Sequence, residues 1–409
     1  MSDILSAPRS AASRPGEVPR PSLAERDRRH ALIRAGMARD GLDLLVLSPN
    51  TARWGQMMAD SRYVTAIGGF ATEVLTVVPL KGDITAYVYN RADWWKREVD
   101  WISDVRDGRN KWAENVVERA RELGLDKGRI GISGISGLAR APSGTVTFAT
   151  ITGIQEALPQ AEVVNATALM QDVRMLKSDE EIGLLEQSAA IVEKMIDVCV
   201  RTAKPGVSEK ELYAQMTATL LANDGELPNF LLFATGPGLR RSSFVPTNRI
   251  VEAGDRIINE IEAKYAGYGA QAVAPMTLGR PDPLFAEMVG LSRLCFDAVL
   301  AAMKPGVTFG QLLKVYADVV AKEGQGRFGT GIPLMHARGL GDDGPALLRK
   351  SDLETFQSIP LQKGMTFIMK PRLVEIDGKE RASLGDTVAV TATGAKRLGK
   401  RPLELIVID

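Results

Sequence analysis

In the stretch Gly254–Gln271, GDRIINEIEAKYAGYGAQ, charged side chains recur at alternate positions. Read as a strand, it sends Ile258, Glu260, Glu262 and Lys264 to one face and Asn259, Ile261 and Ala263 to the other. Neighbouring carboxylates on one face can serve as base or nucleophile. The same parity puts Lys370 and Arg372, in GMTFIMKPRL, on one face of a later strand, where two cations can hold a carboxylate or stabilise an oxyanion. The chain has two histidines. His30 lies among charged residues of a helical pattern, where packing or solvation explains it. His336, in RFGTGIPLMHARGLGDDGP, is the imidazole placed for proton transfer near neutral pH. Its neighbours Arg338, Asp342 and Asp343 form a glycine-spaced charged loop, read either as a grip for a polar or zwitterionic substrate or as an ordinary exposed loop.

The elements that must position these residues follow from periodicity. Residues 1–23 hold four prolines and few large apolar groups, as in a flexible arm. RDRRHALIRAGMARDGLD has helical spacing, LLVLS reads as a buried strand, EVLTVVPL with DITAYVY as a hairpin pair, and RIGISG and AEVVNAT as further strands. This pattern predicts a small α/β domain over 24–170 and a second domain over 171–409. In the second, Ala203-Lys204-Pro205-Gly206-Val207-Ser208 returns as Met303-Lys304-Pro305-Gly306-Val307-Thr308, each copy between two helical patterns. Pro-Gly stops one helix, and Ser208 or Thr308 caps the next. Fifty-one basic and 50 acidic residues give a net charge of +1, so bulk charge points to neither nucleic acid nor an anionic membrane. Without an apolar run long enough to span a bilayer or a signal-type segment, the expectation is a cytoplasmic protein. Cys199 and Cys295 lack metal-site spacing and read as buried free thiols.

Laid on Gly254, Asp255, Ala263, Tyr265, Gly267 and Tyr268, the 254–271 stretch resembles the metal-binding hairpin of the creatinase, prolidase and methionine-aminopeptidase family. GMTFIMKP and RASLGDTVAVTATG resemble that family's later motifs, and Arg174, Lys177 and Glu181 its R-x-x-K-x-x-x-E opening. The resemblance implies an α+β protein: a pita-bread C-terminal domain behind a smaller creatinase-type α/β domain. It also implies that Glu260, Gln271, Lys370 and Gly385 stand at metal-ligand positions. A lysine must lose its proton to ligate, glycine has no ligand atom, and a glutamine is a weak ligand, so no metal and no cofactor is expected. One alignment of the His336 loop puts Thr330 at the metal histidine's position; another puts His336 there. In the loop 239–249, Ser242, Ser243 and Phe244 replace a creatinase-type histidine, which argues against creatine as substrate.

The resulting expectation is a metal-independent, creatinase-like hydrolase cleaving a C–N bond of a small polar or zwitterionic metabolite. Glu260 or Glu262 acts as base or nucleophile, His336 as proton shuttle, and Lys370 with Arg372 as anion holders. Arg338, Gln271, Lys264, Asp342 and Asp343 contribute to substrate binding. The alternatives are a β-eliminating lyase, a non-catalytic ligand-binding protein and, least favoured, an Xaa-Pro-type aminopeptidase or dipeptidase. By resemblance, the chain is expected to form a homodimer acting on a small molecule, with no nucleic-acid or membrane partner.

Overall fold

The computed structural model describes residues 20–48, 59–69, 73–138, 141–228, 231–238, 245–330, 334–347, 352–378 and 381–409. Most of the expected arm, residues 1–19, and loop positions Ser242, Ser243 and Phe244 lie outside the described residues. The chain separates into two compact units, Ala11–Met175 with Leu340–Asp343, and Leu176–Gly339 with Gly344–Asp409.

The first unit is built on six strands: β1 (Leu44–Leu47), β2 (Val74–Pro79), β3 (Thr85–Val88), β4 (Asp104–Asp107), β5 (Arg129–Ser133) and β6 (Glu162–Asn165). Their order is β4-β3-β2-β1-β5-β6, with β1 paired antiparallel to β2 and parallel to β5. The all-apolar β1 is buried at every position, as a strand near the middle of a sheet requires. Ser22 caps the helix Leu23–Arg39 by accepting from the Glu25 N–H. On that helix His30 places Nε2 2.8 Å from the Val64 carbonyl oxygen, a packing role.

The second unit carries the repeat. Helices Asp179–Thr202 and Glu209–Ala222 form one pair, and Pro283–Ala302 and Phe309–Glu323 the other. Ser208 and Thr308 each open the second helix of a pair with a capping box, closed by Glu211 and Gln311. In both copies the glycine, Gly206 or Gly306, has positive φ, and its N–H donates to a carbonyl of the returning chain, at Val251 and Leu361 respectively. The long helix opens at Asp179 behind a Ser178–Glu181 capping box, so Arg174 belongs to a separate helix, Thr167–Met175.

The strands of this unit are β7 (Leu232–Gly236), β8 (Arg256–Tyr265), β9 (Tyr268–Ala272), β10 (Met276–Leu278), β11 (Phe328–Thr330), β12 (Leu334–Ala337), β13 (Ala346–Leu347), β14 (Thr366–Lys370), β15 (Arg372–Glu375), β16 (Arg381–Ser383), β17 (Asp386–Val390), β18 (Ala395–Arg397) and β19 (Ile406–Ile408). One sheet runs β19-β10-β8-β7 with β9 paired to β8, another runs β13-β12-β14-β17-β18, and β11-β15-β16 form a third. A bridge between Val273 and Gly385 ties the first of these to the second. Ile257, Ile261 and Ala263 of β8 enter the core with Met195, Leu212 and Met216 of the first helix pair. This packing fixes the strand's parity and turns Glu260 and Glu262 to the opposite face.

Candidate functional site

Glu260 and Lys370 meet where β8 faces β14. Lys370 Nζ lies 2.9 Å from Glu260 Oε2 and donates to Gln271 Oε1 at 2.9 Å, with the lysine side chain only 3% exposed. Burial pushes the Glu260 carboxyl up, but the Lys370 charge and hydrogen bond outweigh it, with further help from His336 and Arg372. The net pKa lies below the usual carboxylate value. Gln271 is held from both sides, since its N–H donates to Thr387 Oγ1 and its carbonyl accepts from the same hydroxyl.

Gly385 explains how a lysine fits. A Cβ on this residue would lie 2.5 Å from both Lys370 Cγ and the Met369 carbonyl oxygen. The lysine stem therefore fills the space where the resemblance implies a glutamate side chain.

Glu262 makes a different partnership. It is fully buried and pairs with the buried guanidinium of Arg338, whose Nη2 donates to Glu262 Oε2. Glu262 was expected as a base or nucleophile and Arg338 as a substrate contact; the structure pairs the two with each other. Glu262 Oε1 and Nε2 of Gln271, its directly opposed residue in β9, are buried with no hydrogen-bond partner among the described residues. One acceptor and one donor thus share the interior beside Lys370.

His336 is buried in β12, opposite Ile368 of β14, and so shares the sheet face of Lys370. Of the two loop alignments, β11 ends at Thr330, paired with Leu373 of β15, and residues 331–333 lie outside the described residues. Lys264 stands at the turn end of β8, about 13 Å along the strand from Glu260.

The charged loop is not an exposed grip. Asp342 and Asp343 are both buried, within the first unit. Asp343 pairs with Arg174 and accepts from the Leu340 and Gly341 N–H groups, while Arg174 Nε lies 2.8 Å from Asp60 Oδ1. Asp343 thus satisfies a buried arginine and backbone donors, and neither aspartate lies on the exposed loop that was expected to grip substrate.

Arg372 also departs from the expected parity with Lys370. Pro371 has no N–H to continue the ladder, so β14 ends there and Arg372 starts β15 in another sheet. Arg372 and Glu260 nonetheless both line a cavity of about 120 Å³, whose walls include Ile258, Val273, Pro275 and Phe285. Arg381 and Ser383 of β16 line the same cavity. Sequence reading missed both, since only the pairing of β15 with β16 brings them in.

The positions do not suit a pair of divalent ions. Lys370 places an ammonium between Glu260 and Gln271, Gly385 has no room for a ligand, and the described residues contain no group of three His, Cys, Asp or Glu side chains able to hold a metal.

Comparison with known proteins gives the scaffold its relations. Metallopeptidase family M24 matches residues 183–392, and the creatinase/prolidase N-terminal domain matches residues 29–176. An Xaa-Pro dipeptidase of Pyrococcus furiosus is 25% identical over 264 residues, covering 64% of this chain and 74% of the relative. An uncharacterized peptidase of Bacillus subtilis is 22% identical, covering 90% of this chain and 96% of the relative. An X-Pro aminopeptidase structure from Thermotoga maritima superposes with a TM-score of 0.75 at 21% identity, covering 93% of this chain and 99% of the other. The fold is accordingly the pita-bread fold behind a creatinase-type domain. These relations overturn the expectation of a metal-independent, creatinase-like hydrolase of a small metabolite, because the relatives are named as Xaa-Pro peptidases within a metallopeptidase family. Among the described residues, no helix is long and apolar enough to cross a membrane.

Proposed function

Because the chain belongs to metallopeptidase family M24 and carries a creatinase/prolidase N-terminal domain, we propose that it is a peptidase-class hydrolase of C–N bonds, with a short peptide of the Xaa-Pro type as its ligand. The observation that carries this reading is the cavity, which sets the ionised Glu260 against an apolar wall of Ile258, Val273, Pro275 and Phe285. An apolar recess receives a proline ring, and a carboxylate at its edge receives the ammonium end of a short peptide. Lys370 keeps Glu260 ionised and fixes its direction through the 2.9 Å contact. His336, on the same sheet face as Lys370, is the group able to exchange a proton there near neutral pH.

The test is incubation of the purified protein with Ala-Pro, Gly-Pro and Ala-Pro-Ala, with and without added manganese, cobalt or zinc, following the release of free amino acids. Cleavage of any of the three supports the reading. Absence of both cleavage and calorimetric binding overturns it. A second reading, a protein that binds such peptides without cleaving them, is favoured by one observation: the Lys370 ammonium and the packed Gly385 fill the place of a catalytic ion pair. Binding without turnover under every metal condition would select it.

A further inference from the structure

The cavity lies at an interruption in one β-ladder. Strand β8 pairs antiparallel with β9 from Ile261↔Ala272 to Tyr265↔Tyr268, and with β10 at Ile257↔Met276 and Arg256↔Thr277. Both stretches keep the same register, so Ile258, Asn259 and Glu260 stand opposite Pro275, Ala274 and Val273 with no residue inserted on either side. Among the described residues, the main-chain pairing skips these three positions. The cavity is lined from both edges of the gap, by Ile258, Asn259 and Glu260 on one side and by Val273 and Pro275 on the other.

Asn259 spans the gap with its side chain. Its Nδ2 donates to the Ala274 carbonyl at 2.6 Å, and its Oδ1 accepts from the Ala274 N–H at 3.0 Å. Opposed residues in an antiparallel ladder alternate between pairs that exchange both main-chain bonds and pairs that exchange none. Gln271 turns its N–H and carbonyl to Thr387, away from β8, so Glu262–Gln271 is of the second kind and, by the alternation, Asn259–Ala274 is of the first. The carboxamide therefore makes the two bonds that the main chain of residue 259 would otherwise make, but from the end of a side chain, and its length separates the two backbones. Asn259 is buried on the β8 face that Ile257 and Ile261 give to the core, where a carboxamide without partners would be costly. On its far side the displaced segment exchanges two main-chain bonds between Val273 and Gly385, and the Pro275 carbonyl accepts from the Ile406 N–H.

We propose that Asn259 is a positioning residue, a strut that holds the ladder open at the cavity and sets the distance between Glu260 and the wall of Val273 and Pro275. Because the register already matches on both sides of the gap, a shorter side chain at position 259 lets the two main chains meet and pair directly, and the cavity closes. The strut rests on the ladder alone, whereas its consequence for peptides, that Asn259 decides whether a proline ring enters, rests on the Xaa-Pro reading.

Crystal structures of the wild type and of Asn259→Ala, with calorimetry of Ala-Pro on both, test it. In the variant the Ala274 N–H is expected to move from the side chain to the main-chain carbonyl of position 259, at about 2.9 Å, with the cavity largely closed. Ala-Pro is expected to bind the variant at least roughly tenfold more weakly at a little-changed melting temperature, since two main-chain bonds replace two side-chain bonds, whereas an asparagine with only a structural role would lose stability instead. A wall that stays in place in Asn259→Ala, held by the bonds to Gly385 and Ile406 alone, would overturn the strut, as would equal affinity of the two proteins for Ala-Pro. Failure of Ala-Pro to bind the wild type would overturn the peptide reading and leave the strut to be decided by the two structures. Should Asn259→Ala not fold, Asn259→Ser takes its place: its shorter side chain should narrow the cavity, and an unchanged wall there would overturn the strut.

Discussion

Lys370→Met removes the ammonium while keeping an unbranched stem over Gly385, so its cost reports on charge rather than packing. At 2.9 Å and an effective dielectric of about 20, the Lys370–Glu260 attraction is roughly 6 kcal/mol before desolvation is subtracted. Breaking a buried pair by deleting one partner costs about 3–5 kcal/mol. Glu260 is 14% exposed on the cavity side, so water recovers part of this, and about 2–4 kcal/mol is expected near pH 7.5. The pH dependence identifies the cause. In the wild type, Glu260 has a depressed pKa, so its stabilising contribution is present above the ordinary carboxyl value and is lost as pH falls through the lower, folded one. In the variant, burial acts without its chief opponent and raises that pKa, so the carboxyl takes up a proton and the penalty shrinks toward pH 4. Urea denaturation of both proteins at pH 4 and 7.5 measures this, and Glu260→Gln in the Lys370→Met background should recover most of the loss at pH 7.5. A difference below about 1 kcal/mol at pH 7.5, or one equal at both pH values, would refute the electrostatic account.

Gly385→Ala puts a Cβ 2.5 Å from a backbone carbonyl and from the Lys370 stem, and should cost about 1–3 kcal/mol; an unchanged melting temperature would contradict the packing described. Burial pushes Asp386 up to about 7 despite Arg397 and the Thr387 N–H, so its stabilising contribution is full below the ordinary aspartate value and fades as pH rises through 7. Asp386→Asn should therefore flatten the melting-temperature profile between pH 4 and 7, and a profile parallel to wild type would exclude that origin. Buried Glu209 accepts from the N–H and hydroxyl groups of both Thr235 and Thr247, so Glu209→Ala should cost about 2–4 kcal/mol, measured by denaturant titration, with a loss under about 1 kcal/mol counting against it. The homodimer implied by the family resemblance predicts twice the chain mass in light scattering at micromolar concentration, and a monomer there would contradict it.

The parity of β8 was legible because one face had to supply Ile257, Ile261 and Ala263 to a helical core, leaving its carboxylates on the other. The Pro-Gly repeat was legible because helix stops and caps are local chemistry. What escaped was non-local. Asp343 is buried by Arg174, 169 residues earlier, so a glycine-spaced charged loop looked exposed. Arg372 looked like a strand-mate of Lys370 because the ladder break at Pro371 depends on which strands pair on each side. Arg381 and Ser383 carry no local motif, and only the register of β15 with β16 shows their shared face. The family motifs were strong enough to identify the scaffold, but the substituted positions pulled the functional expectation away from the relatives' chemistry.

The two Pro-Gly clasps mark a repeated helix-pair motif in the second unit, and the charges that follow the two copies differ. The acidic face on β8 follows the first helix pair, and the Lys370 strand follows the second. Each copy is thus electrostatically incomplete: the first supplies a buried carboxylate, and the second supplies the ammonium that neutralises it. The halves are consequently not interchangeable with those of a relative that has carboxylates in both places. A chimera joining this chain's first half to such a second half would crowd like charges at the seam, and the reciprocal chimera would set an ammonium where the relative gathers acidic ligands.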